Sequence, residues 1–203
     1  MQQYMYGTTR RGGVNNNGTV YRCNADGSNP ETILSMSVYG MAEPIGSLLF
    51  LDGYLYGTTI ESRHIFKIPI GSNGLLDGTP IIYHTGLYHY GGFIYVNNKL
   101  YCTADNGEFG IIIECDLDFT NLVTKHTFVE STINSPRDDL YYENNQFFCT
   151  CYYGGENSAG GIAKFSNNFN NVEFIEFGTH DNKLPTSNRY GKNPLCTLIP
   201  HNG

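Results

Sequence analysis

A short motif of an aromatic residue, a small residue and threonine occurs four times along this chain, and its spacing limits the available folds more than any other feature. It reads Met5-Tyr6-Gly7-Thr8-Thr9, Leu55-Tyr56-Gly57-Thr58-Thr59, Leu100-Tyr101-Cys102-Thr103-Ala104 and Phe147-Phe148-Cys149-Thr150-Cys151, with steps of 50, 45 and 47 residues. Each copy is a strand-like segment. A period of about 40–50 residues built from short strands signals a radial array of four-stranded sheets. The repeat therefore predicts an all-β fold, a four-bladed β-propeller with four antiparallel strands per blade.

Alternation and turn signals divide each repeat further. The second repeat reads as an inner strand Ile45–Leu51, then Tyr54–Ile60, His64–Ile70 and an outer strand Pro80–His84. Its first hairpin turns on Asp52-Gly53, a pair suited to the two positive φ angles of a type I′ turn. The third repeat gives Tyr90–Val96, a turn at Asn97-Asn98, Lys99–Ala104, Gly110–Asp116 and Val123–Val129. The fourth gives Arg137–Glu143, a turn at Asn144-Asn145, Gln146–Tyr152, Gly161–Ser166 and Asn171–Phe177.

The first repeat opens directly on its second strand, Tyr4–Thr9, and continues with Gly18–Cys23 and Glu31–Met36. Its missing inner strand is found at the other end of the chain. Tyr190–Gly203 matches Tyr39–Gly53, with Pro194 eight residues before Asn202 as Pro44 is before Asp52. The sequence thus predicts a ring closed by the C-terminal strand, which removes two open sheet edges. The blades are 190–203 with 1–38, then 39–86, 87–130 and 131–180.

Charge excludes one class of partner. The net charge is −7, and the longest basic feature is Arg10-Arg11. No basic stripe exists to displace counterions from a nucleic acid. No apolar run reaches the length of a membrane span. The opening MQQYMYGTT lacks the basic and apolar regions of a secretory signal, which predicts an intracellular protein. Six cysteines (Cys23, Cys102, Cys115, Cys149, Cys151 and Cys196) fall at strand positions where other repeats carry small residues, or lack a CxxC partner. They read as buried, reduced thiols rather than disulfides or zinc ligands.

Met5–Thr9, Gly12-Gly13, Asn15–Asn17 and Gly18-Thr19-Val20-Tyr21-Arg22 resemble the repeat of a bacterial tandem-repeat family. That family's consensus runs Leu-Tyr-Gly-Thr-Thr, a Gly-Gly-Asn turn, then Gly-Thr-Val-Phe-Arg. The fourth repeat keeps Tyr153-Gly154-Gly155 and Gly160-Gly161, whereas the second and third lose the double glycine. The resemblance covers nearly the whole chain. It implies a propeller and carries over no catalytic residues.

Candidate ligand-binding residues follow from the predicted architecture. Inner strands enter the central channel at Gly46-Ser47, Gly91-Gly92, Asp138-Asp139 and Cys196-Thr197. Only the third of these pairs carries charge, and it is flanked by Arg137. Asp138 and Asp139 could hold a cation such as calcium or anchor a polar ligand; no other cofactor is indicated. His89 lies just before an inner strand, and with Asp138-Asp139 it would form the channel-mouth site of a hydrolase or lyase. The Gly/Asn-rich connectors at 11–17, 106–109 and 154–160 follow the repeated threonines on one face. Tyr152, Tyr153 and Asn157 there would suit sugar hydroxyls through stacking and amide hydrogen bonds. The repeated threonines themselves read as structural, their hydroxyls satisfying backbone groups of neighbouring blades. The leading expectation is a non-catalytic binding scaffold with a protein partner. The alternatives are a glycan-binding propeller and the channel-mouth enzyme.

Overall fold

Left-handed two-residue turns set the register of three hairpins. Asp52-Gly53, Asn97-Asn98 and Asn144-Asn145 all have positive φ, between 49° and 78°, as a type I′ turn requires to match strand twist. The computed structural model describes residues 3–155, 158–177, 193–195 and 197–199, and the chain divides into two units, Met1–Phe93 and Ile94–Gly203.

In the first unit, β1 (Tyr4–Thr9), β2 (Thr19–Asn24) and β3 (Glu31–Ser35) form a three-stranded antiparallel sheet in chain order. A second sheet follows in the same manner from β4 (Leu49–Leu51), β5 (Tyr54–Thr58), β6 (His64–Pro69) and β7 (Ile81–His84). Val20 and Leu34 from the first sheet pack with Leu55, Phe66 and Ile68 from the second, and Met36 and Met41 fill the space beside them. Phe66 and Met36 are fully buried; each such side chain contributes about 1.5–3 kcal/mol relative to leaving it in water.

The second unit repeats the plan. Its first sheet is β8 (Ile94–Val96), β9 (Lys99–Ala104), β10 (Ile111–Cys115) and β11 (Val123–Thr127). Its second is built on the long β14 (Gln146–Tyr153), which pairs with β13 (Tyr141–Glu143) near its start and β12 (Asn134–Pro136) near its end. Beyond β14 lie β15 (Gly161–Ser166) and β16 (Val172–Glu176). Tyr101, Phe147, Phe165 and Phe169 form the centre of this core, with ring centroids 4.8 Å apart for Tyr101 and Phe147 and 4.7 Å for Phe147 and Phe169.

The inner strands are shorter than the sequence predicts. The expected Ile45–Leu51, Tyr90–Val96 and Arg137–Glu143 pair only over Leu49–Leu51, Ile94–Val96 and Tyr141–Glu143. Close backbone approach replaces the ladder in the entry halves. A Cβ on Gly46 would lie 2.5 Å from the Gly92 nitrogen, and one on Gly92 would lie 2.2 Å from the Ser47 carbonyl oxygen. Gly92→Ala is therefore expected to destabilise the protein by roughly 1–3 kcal/mol, the usual cost of overpacking. The check is the urea midpoint, and an unchanged midpoint would contradict this contact.

Two expected roles are visible. The Thr58 hydroxyl donates to the Gly91 carbonyl at 2.9 Å, and the Thr103 hydroxyl donates to the Asp138 carbonyl at 2.7 Å. Each ties a second strand to the next inner-strand entry. Cys23, Cys102, Cys115, Cys149 and Cys151 are buried free thiols, while Cys196 lies outside the described residues. Burial raises the Cys102 thiol well above its ordinary value and the Cys115 thiol to about 12, so neither supplies a reactive thiolate near neutrality.

A three-fold latch was not legible as such in the sequence. Glu43, Ser135 and Asn193 each precede a proline and adopt left-handed φ of 56°, 58° and 54°. Their N–H groups donate to Asn17, Phe109 and Ala159 at 2.8, 2.7 and 2.9 Å. Each acceptor stands immediately before a left-handed glycine, Gly18, Gly110 or Gly160. At two of these glycines the absent Cβ leaves room for the proline ring. Pro44 Cδ lies 2.7 Å from the Cβ position of Gly18, and Pro136 Cδ lies 2.5 Å from that of Gly110.

Candidate functional site

The pairing of β12 with the end of β14 builds the most feature-rich surface of the second unit. Asn134 sits opposite Tyr153 and Pro136 opposite Cys151, which carries the following residue, Arg137, onto the tyrosine rings. Its guanidinium carbon lies 4.9 Å from the centre of the Tyr152 ring and 5.6 Å from that of Tyr153. The two rings meet edge to face with centroids 4.5 Å apart. Tyr153 is 46% exposed at the end of its strand. Such a cation–aromatic group is worth about 0.5–1 kcal/mol at an exposed site.

Asp138 is held immediately beside this cluster. Its Oδ1 accepts the Thr197 hydroxyl at 2.8 Å and the Asp139 N–H at 2.8 Å. Burial raises the Asp138 carboxyl above its ordinary range, partly offset by those two donors. The Asn193 side chain donates to the Tyr152 carbonyl at 2.7 Å. Residues near the C-terminal end thus hold the backbone of Tyr152 and the carboxylate of Asp138. Of the residues singled out by sequence, Arg137, Asp138, Tyr152 and Tyr153 gather here, with Asp139 next in chain. Asn157 lies outside the described residues. Among the described residues no group of three histidine, cysteine or acidic side chains is placed to hold a metal ion.

His89 belongs to the first unit and is fully buried, not the partly exposed loop residue its position suggests. Its Nε2 lies 2.7 Å from the Thr85 hydroxyl. That hydroxyl donates to the Arg63 carbonyl at 3.1 Å, so the imidazole is the donor in the pair. Burial, with a smaller contribution from His64, lowers His89 to about 3.

The entry position of each repeat also meets a connector from the preceding one in the first unit. Arg10 donates to Glu43 from Nε at 2.9 Å and Nη2 at 2.6 Å, and Arg11 adds a 3.2 Å contact. The equivalent pair in the next repeat is Arg63, whose guanidinium stacks 4.1 Å above the Tyr88 ring and hydrogen-bonds its hydroxyl. An arginine–tyrosine stack therefore occurs in each of the two units. The motif repeats made Arg137 and Tyr152 visible in the sequence; the Arg63–Tyr88 pair was missed because the two residues are 25 positions apart.

No family model matches the chain, and no curated protein matches it. Solved structures do. The chain is similar to a chain in the crystal structure of a nidogen/laminin complex, with TM-score 0.64 and 17% identity over 86% of this chain and 61% of that one. It is also similar to a Mycobacterium tuberculosis puromycin-hydrolyzing peptidase, with TM-score 0.53 and 12% identity over 79% of this chain and 25% of that one. The chain thus spans less than two thirds of either relative's length. At these identities the likeness concerns fold, and the fold is of the β-propeller type. No helix among the described residues is long and apolar enough to cross a membrane.

Proposed function

We propose that this chain is a closed four-bladed β-propeller acting as a non-catalytic docking scaffold for a protein partner. The observation that carries the docking reading is Arg137 laid across Tyr152 and the half-exposed Tyr153 at the end of a rigid strand. Arginine and tyrosine are enriched among the residues that dominate protein-interface energetics. Tyrosine buries a large area with two torsions to freeze, and the planar guanidinium of arginine stacks on rings while donating several hydrogen bonds. The nidogen/laminin relative is itself a propeller in a protein–protein complex. The channel-mouth enzyme reading loses its base. His89 is buried, donates to Thr85 and is lowered to about 3, far from the value that suits general-base chemistry at neutral pH.

Closure is supported by two independent features. Tyr190–Gly203 matches the inner-strand segment Tyr39–Gly53. Asn193 also makes the same backbone bond to Ala159 that Glu43 makes to Asn17 and Ser135 to Phe109, so the C-terminal segment leaves the fourth repeat as an inner strand would.

The test is matched affinity capture by the native protein and by Tyr153→Ala and Arg137→Ala variants, followed by measurement of Kd for the captured protein. Both substitutions are expected to weaken binding at least tenfold with little change in melting temperature. Equal affinity in both variants would remove the docking reading. A glycan-array signal lost in Tyr153→Ala would replace the protein partner with a sugar.

A further inference from the structure

The edge of the second sheet carries two imidazoles in contact. His64 on β6 and His84 on β7 are direct cross-strand partners, and their ring centroids are 4.9 Å apart in an edge-on arrangement. The register is locked just beyond them, where both the N–H and the hydroxyl of Thr85 donate to the Arg63 carbonyl, at 3.0 and 3.1 Å. That bond makes Arg63 and Thr85 the hydrogen-bonded pair and leaves His64 and His84 as the neighbouring non-hydrogen-bonded pair. Side chains stand closest at such positions. On the other side, the backbone of His64 is fixed by Thr59, whose hydroxyl accepts its N–H at 2.9 Å and whose N–H donates to its carbonyl at 2.9 Å.

The chemistry of the pair is unspent. His64 Nδ1 is shielded from solvent and has no hydrogen-bond partner among the described residues, and His84 is exposed. The charged residue just before β6, Arg63, is engaged with the Tyr88 ring and hydroxyl. His89, which also faces His64, is committed to Thr85.

We propose that His64 and His84 form a two-imidazole site for a borderline divalent transition ion such as Cu²⁺, Ni²⁺ or Zn²⁺, with water completing the coordination shell. Imidazole suits these ions, and affinity should follow Cu²⁺ above Ni²⁺ and Zn²⁺. Burial and the adjacent His84 both lower His64 below its ordinary value, which keeps the ligand form populated at neutral pH. The sequence hid the site because its ligands lie on different strands, 20 positions apart. It shares no residue with the Arg137, Tyr152 and Tyr153 surface and does not depend on the docking reading.

The test is thermal unfolding of the full chain at pH 7.5 with added CuCl₂, NiCl₂, ZnCl₂ or MgCl₂, together with EPR of the Cu²⁺ sample. A transition ion at a hundredfold excess over its dissociation constant should raise Tm by roughly 5–10 °C, and Mg²⁺ should not. EPR should show nitrogen coupling from two imidazoles. His84→Gln, at an exposed position, should fold normally, weaken Cu²⁺ binding at least tenfold and reduce the coupling to one nitrogen. No thermal shift with Cu²⁺ below millimolar concentration, or a shift and spectrum unchanged in His84→Gln, would overturn the proposal.

Discussion

Removing Leu195–Gly203 is expected to yield aggregated or insoluble protein. In the proposed closed propeller this segment would supply the inner strand of the first blade. Its loss leaves β1 with an open edge carrying Met5, which is 46% exposed in the described residues. An apolar, unpaired edge is a template for intermolecular pairing. The loss should exceed the 0.5–3 kcal/mol of ordinary point substitutions, because a whole strand's ladder and packing are removed together. Size-exclusion chromatography and thermal unfolding check the outcome. A deletion variant that remains monomeric and melts with the parent would rule the closure out.

Acid should weaken the protein well before its carboxylates titrate. His89 has an ordinary value of 6.5, lowered by burial to about 3. Above pH 6.5 the imidazole is neutral in both folded and unfolded chains, and its contribution to stability is complete. Below 6.5 the unfolded chain takes up a proton that the folded chain refuses, so stability falls until the pH reaches about 3. The full loss is on the order of 5 kcal/mol, of which roughly 2 kcal/mol falls between pH 6.5 and 4.5. His64 and His126, both lowered by burial, add to the same slope. Asp138, raised by burial, opposes it. Urea midpoints across that interval are the measurement. The slope should flatten in His89→Gln, and a wild-type midpoint constant from pH 6.5 to 4.5 would show that His89 titrates normally.

Much of the architecture was legible because each repeat carries its own turn chemistry. Asp52-Gly53, Asn97-Asn98 and Asn144-Asn145 announce their hairpins, and the strands after them fall where alternation places them. The entry halves of the inner strands were misjudged because alternation reports only which side chains are apolar. It does not report that Gly46 and Gly92 bring two backbones within contact distance. The site was half legible. Arg137, Asp138 and Tyr152 were each singled out, but the first two were assigned to the channel mouth and the third to the connector face. The pairing of β12 with the end of β14, which lays Arg137 on the tyrosine rings, was not visible in the alternation pattern. Nor was the burial of His89, since it depends on a hydroxyl four residues away and on the packing around both. The latch shows the same limit: each proline and each glycine is visible alone, but the bond joining Glu43 to Asn17 spans 26 positions.

Closure of the ring is tested most directly by amide hydrogen exchange along Tyr4–Tyr6 of β1. These residues pair with Asn24, Cys23 and Arg22 of β2 on one side, so only alternate amides are protected by that ladder. If the C-terminal strand occupies the other side, as Leu49–Leu51 does against Tyr54–Tyr56 in the second sheet, every amide from Tyr4 to Tyr6 should exchange slowly, with protection comparable to that of Tyr54–Tyr56. Rapid exchange of the alternate amides facing away from β2, at rates matching exposed loops, would contradict the closed propeller.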